Sequence, residues 1–274
     1  MRAQNLTISV PPGDPLCDKN CPYCVSRMTG YVKTDVRLMS KNISKLKTLA
    51  EHAQGTSVLF TGKGEPLLNE TDLFWLMREF RDYPMELQTN GLKLSRNDWL
   101  IKALFEEGLN VLAVSLDDLK QFISFYDMFA KAKEERLVTR VTLNVTNKIP
   151  EETKFEHLVD LCRESHVDQL MLRRVTIPEG VDESHPTAKW IEKNTRWAQF
   201  EKLWSEMDAL CSNFGRFIRR LHFGPKVYDY NGVSVSYSDY CVQESTTGED
   251  IRSLIFLEDG HCYTSWNSKA SILF

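Results

Sequence analysis

No stretch of about 18 consecutive apolar residues occurs in this 274-residue chain, so no segment reads as a membrane-spanning helix. The opening MRAQNLTISVPPGDP has no long apolar run of the kind that marks a secretory signal, which leaves the cytoplasm as the expected location. Gly/Ser linkers, internal repeats and low-complexity tracts are also missing, so composition marks no hinge between independently moving parts. Positive charge is not in excess: 34 Lys and Arg against 38 Asp and Glu leave a formal net charge of −4, which speaks against a general nucleic-acid binder while allowing local patches. The seven cysteines, an odd number, lack the pairing of a disulfide framework and suit a reducing compartment. The length is enough to bury a sizeable core, as one large domain or as one with an appendage.

What is present begins with CDKNCPYC, which sets Cys17, Cys21 and Cys24 in CxxxCxxC spacing. Three thiolates without a fourth leave a metal site one open coordination position, as in a catalytic centre and unlike a closed structural zinc site. Thiolates are the usual protein ligands of iron–sulfur clusters, and a cubane with three cysteine-ligated irons and one free iron fits the count. The alternatives are a zinc knuckle completed by a remote histidine, or a chance group of core cysteines.

Strands and helices alternate along the first two thirds, the pattern of a parallel sheet with helices packed outside. Strands are predicted at 5–10, 56–61, 84–90, 109–116, 137–146 and 167–175. Between them, a helix over 95–107 opens on Ser95 and Asp98 as a variant capping box and stops at Gly108. Another over 153–165 carries Phe155, Leu158, Val159 and Cys162 at helical spacing. These are six strand–helix units at most, which predicts an α/β fold built as a partial parallel (β/α)6 barrel, with chemistry at the C-terminal strand ends. The loop from Cys17 to about Arg37 then lies at that edge. Alternation sorts the side chains: Thr142, Asn144 and Thr146 share one face, Gln169 and Arg173 another, and Ser115 pairs with Asp117 as Gln88 does with Asn90.

The run TSVLFTGKGEPLL (56–68) reads as a buried strand entering a Gly-rich turn, and LQTNG (87–91) and VSLDD (114–118) sit at similar strand ends. With CxxxCxxC ahead of them, these segments resemble the radical S-adenosylmethionine (radical SAM) enzymes over roughly the first 180 residues, GKGEP standing where that family has GGEP. Lys63 takes the place of the first glycine, so close backbone approach is expected at Gly64.

The resemblance implies a [4Fe-4S] cluster on Cys17, Cys21 and Cys24, whose free iron chelates the amino and carboxylate groups of S-adenosylmethionine. One electron from the reduced cluster, delivered by a flavodoxin- or ferredoxin-type donor, cleaves the sulfonium to a 5′-deoxyadenosyl radical that takes hydrogen from a substrate. Gly64 and Glu65 lie where the family's loop contacts the cofactor's amino group, and Tyr23 holds the family's aromatic position beside the adenine. Ser115 and Asn144 are candidates for the ribose hydroxyls, and Arg173 for the carboxylate, which a guanidinium suits bidentately. Gln88 and Asn90 join the cofactor-contacting set.

From about residue 181 the pattern changes, so residues 1–180 are expected to form the core and 181–274 a C-terminal α+β extension that closes the barrel and contacts substrate. Phe200, Leu203, Trp204, Met207, Leu210 and Cys211 make one apolar helical stripe, and Asn231-Gly232 and Asp259-Gly260 mark hairpin turns. Cys162 and Cys211 read as core. Cys241 and Cys262, without paired spacing, predict no second cluster; a thiol reaching the cavity could act as a hydrogen-atom donor, as in epimerising relatives. RFIRRLHFGPK (216–226) places Arg216, Arg219, Arg220 and Lys226 among apolar residues, which suggests either a solvated basic face or a seat for an anionic substrate at the barrel mouth. The expected activity is thus radical SAM chemistry, of oxidoreductase or lyase type, on a small anionic or nucleotide-like molecule. The other classes are a glycyl-radical-enzyme activase, a peptide-modifying radical SAM enzyme, and a non-enzymatic iron–sulfur or zinc module.

Overall fold

Six parallel strands form in chain order: β1 (Ala3–Ser9), β2 (Val58–Thr61), β3 (Met85–Thr89), β4 (Leu109–Leu116), β5 (Val138–Val145) and β6 (Gln169–Arg174). Each lies within the segment predicted for it or two residues from its bounds. The computed structural model describes residues 2–221, 226–238, 246–247, 250–266 and 268–274. Helices α1 (Val25–Thr29), α2 (Val36–His52), α3 (Glu70–Glu79), α4 (Trp99–Glu106), α5 (Lys120–Ser124), α6 (Tyr126–Glu134) and α7 (Phe155–Glu164) fill the connections. Among the described residues no helix is long and apolar enough to cross a membrane.

The pleat explains the layers. Val141, Leu143 and Val145 of β5, like Leu170 and Leu172 of β6, are buried in the main core, while Thr142, Asn144 and Arg173 stand on the other face. In α7 the stripe Phe155, Leu158, Val159 and Cys162 is buried as its spacing predicts; each large apolar side chain so buried contributes roughly 1.5 to 3 kcal/mol. Helix α4 corrects its expected start. Ser95 lies in a short 3-10 turn, and Asp98 already has helical dihedrals (φ −62, ψ −31) and makes no capping bond, because a capping side chain needs an extended backbone beneath it.

The remaining elements are α8 (Pro186–Asn194), α9 (Trp197–Phe214), β7 (Arg216–Arg220), β8 (Lys226–Tyr230), β9 (Val233–Ser238), β10 (Thr246–Thr247), β11 (Asp250–Phe256) and β12 (Cys262–Tyr263). Buried Phe200, Leu203, Met207 and Cys211 face α9 to the core. Asn231 and Gly232, at φ 52 and 83, make the tight turn between β8 and β9.

The expected closure does not occur. The strand order is β10-β11-β1-β2-β3-β4-β5-β6-β9-β8-β7: β9 lies parallel beside β6, and β11 parallel beside β1. The C-terminal strands therefore lengthen both edges of an open parallel sheet. The physical reason is local pairing: β7 and β8 stay bound to β9 as an antiparallel meander, which leaves β11 to complete the opposite edge.

Candidate functional site

The inner faces of the strands enclose a cavity of about 690 Å³ at their C-terminal ends. Gln88, Ser115, Asn144 and Arg173 line it, as do Tyr23, Glu65 and Asn90, and so do all three cysteines of the loop that follows β1. Alternation along separate strands thus brings the sequence-predicted residues to one place. Among the described residues, no three His, Cys, Asp or Glu side chains are grouped as ligands of a single metal ion, and the cavity lining contains no histidine. A cubane asks for a wider set, one thiolate to each iron.

The turn after β2 grips the cysteine loop. A Cβ on Gly64 would fall 2.2 Å from the backbone oxygen of Leu16, the same oxygen that accepts the Glu65 N–H at 2.9 Å. Gly64 is therefore the glycine that close approach demands. Lys63 points elsewhere: its buried ammonium donates to the Gly30 carbonyl at 2.7 Å, just past α1. The Cys17 sulfur accepts from the backbone N–H of Lys19 (3.4 Å) and from Asn90 Nδ2 (3.8 Å). Partial desolvation pushes the Cys17 thiol up although its residue is exposed, and these two bonds pull it down. Burial likewise raises the Cys21 thiol, against the Lys19 ammonium.

Lys19 and Asp117 are the residues sequence reasoning passed over. The Lys19 ammonium meets the Asp117 carboxylate at 3.2 Å and the Ser115 carbonyl at 3.5 Å, and Lys148 holds the other Asp117 oxygen at 3.0 Å. Asp117 is 4% exposed, and the two lysines hold its carboxyl below the usual range although burial, the largest single influence, works the other way. Its face was visible from its alternation with Ser115; nothing about the position of Lys19 between two cysteines announced a partner. The Tyr23 ring packs against Trp190 of α8, centroids 5.7 Å apart, in a small cluster with Val175 and Ile191. Arg173 Nε is buried and has no hydrogen-bond partner among the described residues.

Glu65 is the one acidic residue among the described residues of the cavity wall, 3% exposed. Its carboxylate accepts from Thr89 Oγ1 (2.6 Å), Asn90 N–H (2.8 Å) and Leu67 N–H (3.3 Å), tying the β2 turn to the end of β3. Burial pushes its carboxyl from 4.5 up to about 7 in spite of those bonds. The folded state then holds this proton more tightly than the unfolded state does. The resulting stabilisation, roughly 3 kcal/mol, is full below pH 4.5 and is lost as pH rises through about 7. Urea midpoints of the metal-free protein should fall across that window, and Glu65→Gln, which cannot ionise, should flatten the fall; parallel curves would rule the assignment out.

Other predicted residues lie elsewhere. Strand β7 is the last strand on one edge, all five of its residues are exposed, and none of Arg216, Arg219, Arg220 and Lys226 lines the cavity. Arg216 pairs with Asp229 (3.1 Å) and Lys226 with Asp208 (3.3 Å). The barrel mouth expected there is absent because the meander leads this hairpin away from β6. Cys262, offered as a hydrogen-atom donor, is buried in the main core, off the cavity, with its thiol pushed up to about 12 by burial. Cys241 lies outside the described residues. Cys162 and Cys211 are core residues as expected. Iodoacetamide at mildly alkaline pH should accordingly modify Cys17, Cys21 and Cys24 of the folded metal-free chain and spare Cys162, Cys211 and Cys262. Peptide mapping by mass spectrometry reads this directly. Ser253 and Ile255 of β11, with Ser265 and Trp266 beyond β12, complete the cavity wall and had no sequence signal.

Residues 15–191 match the family model described as the radical SAM superfamily. A curated relative, GTP 3',8-cyclase of Clostridium acetobutylicum, is 32% identical over 129 residues, 46% of this chain and 37% of the relative, so the match spans well under half of that protein's length. Among solved structures, Streptococcus suis SuiB bound to precursor peptide SuiA has a TM-score of 0.62 at 15% identity, covering 96% of this chain and 59% of that one. Coproporphyrinogen III oxidase (HemN) from Escherichia coli has a TM-score of 0.55 at 13% identity, covering 87% and 63%. These two likenesses are of fold.

Proposed function

This chain belongs to the radical SAM superfamily, and from that premise we propose that Cys17, Cys21 and Cys24 hold its [4Fe-4S] cluster and that the adjoining cavity takes S-adenosylmethionine together with a small anionic or nucleotide-like substrate. The observation that carries this reading is the meeting of three thiols, one buried carboxyl and one unsatisfied guanidinium nitrogen on a single cavity. The donor set fits the group: thiolates suit iron, an ammonium beside Glu65 turns the cost of burying that carboxylate into attraction, and Arg173 Nε has a donor to give a carboxylate. When bound, cluster and cofactor supply a one-electron reductive cleavage that delivers a hydrogen-abstracting radical.

The chain's own residues do the rest. Ser115 and Asn144 offer hydroxyl and amide groups to the ribose, the Tyr23 ring gives the adenine an apolar face, and Gln88 adds a further polar contact. Residues 251–266 form the substrate side of the C-terminal extension, where Ile251 and Ile255 exclude water beside Ser253. An anionic substrate is favoured by the charges of the described wall: Lys19, Arg27, Lys63, Arg173 and Arg252 against Glu65. A flavodoxin- or ferredoxin-type protein is the proposed electron donor.

The test is anaerobic reconstitution with iron and sulfide, reduction with dithionite, and addition of S-adenosylmethionine. 5′-Deoxyadenosine and methionine should appear, and GTP, named for the curated relative, is the first substrate to add. A fully loaded, reduced protein that binds the cofactor and never cleaves it overturns the proposal.

A further inference from the structure

Two donors converge on the Cys17 sulfur, and both are held in place from behind. Asn90 is 8% exposed, and its side-chain orientation is set by its neighbours. Oδ1 accepts the Leu92 N–H at 2.8 Å, which leaves Nδ2 to donate to Asp18 Oδ1 at 2.7 Å and toward the Cys17 sulfur at 3.8 Å. Lys19 donates its backbone N–H to the same sulfur at 3.4 Å. Its ammonium does not swing into solvent, because Asp117 and the Ser115 carbonyl pin it at the end of β4. Asp117 is itself anchored: Lys148 takes its second oxygen, and Gln121 Oε1 accepts the backbone N–H groups of Asp117 (2.8 Å) and Asp118 (3.1 Å). The TNG and SLDD segments thus end on the cysteine loop.

We propose that Lys19 and Asn90 are positioning residues that set the reduction potential of the cluster, an inference that rests on the cluster assignment above. Reduction adds one electron, and so one negative charge, to the iron–sulfur core while its bonds to the protein stay as they are. N–H donors on a ligating sulfur and a fixed cation in the ligand loop favour the more negative state, and hydrogen bonds to cluster sulfurs are a known lever on such potentials. Lys19 supplies both through one residue, and Asn90 supplies a donor from the neighbouring strand end. Asp117 acts through Lys19, by keeping its ammonium within the loop.

The experiment is a redox titration with dithionite of the anaerobically reconstituted protein, followed by electron paramagnetic resonance with no S-adenosylmethionine present, so that the reading is independent of turnover. Lys19→Met removes the cation and keeps the backbone donor. Asn90→Asp keeps the acceptor for Leu92 and replaces the donor beside Cys17 with a carboxylate oxygen. At the wild-type midpoint the ratio of reduced to oxidised cluster should fall about three- to tenfold in each variant; the full worth of a charge-assisted bond is larger, but both oxidation states keep part of it. Lys19→Arg should restore the wild-type ratio, and Lys148→Met, which loosens one anchor of Asp117 but leaves the Lys19–Asp117 contact, should shift it less than Lys19→Met does. Should Asn90→Asp retain fewer than the wild-type complement of irons, Asn90→Ser is read by the same criterion. Unchanged midpoints in Lys19→Met and in the Asn90 variant, at full iron content, overturn this inference and leave the functional reading standing. A wild-type chain that takes up no iron–sulfur cluster overturns the functional reading first.

Discussion

Alanine at Cys17, Cys21 and Cys24 together is expected to leave a folded protein that binds no cluster and forms no 5′-deoxyadenosine. The two halves of that result have separate causes. Cys17 is exposed, Cys21 and Cys24 are half-buried, and none of the three belongs to the main core, so their loss removes little buried apolar surface. Thermal unfolding of the metal-free triple variant should therefore stay close to that of the metal-free wild type. Activity has no such margin, since each thiolate is assigned one iron and, among the described residues, no other cysteine lines the cavity. Each single variant should already lower iron content and abolish cleavage. Undiminished cleavage by the purified, iron-quantified triple variant would sink the assignment.

Gly64→Ala should produce the next largest effect. The added Cβ would stand 2.2 Å from the Leu16 backbone oxygen and 3.3 Å from Pro12 Cβ, and the first of these is main chain, not the end of a flexible side chain. Something must move, and the Glu65 N–H bond to that same oxygen ties the two segments together. Overpacking of this kind costs about 1 to 3 kcal/mol in stability. The functional loss should be greater than the stability loss, because the displaced residue immediately precedes Cys17. We expect iron retention against a chelator to fall by at least about tenfold, the equivalent of 1.4 kcal/mol at the loop. Gly30→Ala is the control: its φ of 72 strains an alanine, but nothing among the described residues lies within 4 Å of the new methyl. Iron loss as great from Gly30→Ala as from Gly64→Ala would mean that the Leu16 contact is not what holds the loop.

Much of this architecture was legible because it is periodic. The strand alternation that put Asn144 opposite Leu143, and Arg173 opposite Leu172, needs only the pleat, and the structure brings those polar residues to one cavity. Asn231-Gly232 and Asp259-Gly260 told their turns through residues that accept positive φ. What stayed hidden depended on partners distant in sequence. The Phe155 N–H that opens α7 is capped by Glu206 of α9, 51 residues away, and Lys19 finds Asp117 across 98 positions of the numbering. The basic run at 216–226 misled for the same reason: composition shows that Arg219 and Arg220 are cations, but only the strand order shows that β7 is an edge far from the cysteine loop. Closure is not written in the turns, because a hairpin's turn fixes its local pairing and says nothing about which side of the sheet the next strand joins.

The placement of β11 beside β1 also dictates an order of assembly during synthesis. Strand β1 leaves the ribosome ahead of the other described strands, yet one of its two neighbours pairs Asn5 with Ser253, 248 positions later. At about 5 to 20 residues per second, that gap is on the order of tens of seconds, during which β1 has its β2 edge and lacks the other. Strands β1 to β6 and the helices between them have all emerged by then. The wall carrying Ser253 and Ile255 is consequently the last part of the cavity to be built, and the cysteine loop faces open water until it arrives. A nascent chain stalled before residue 250 would present its three thiols without that wall.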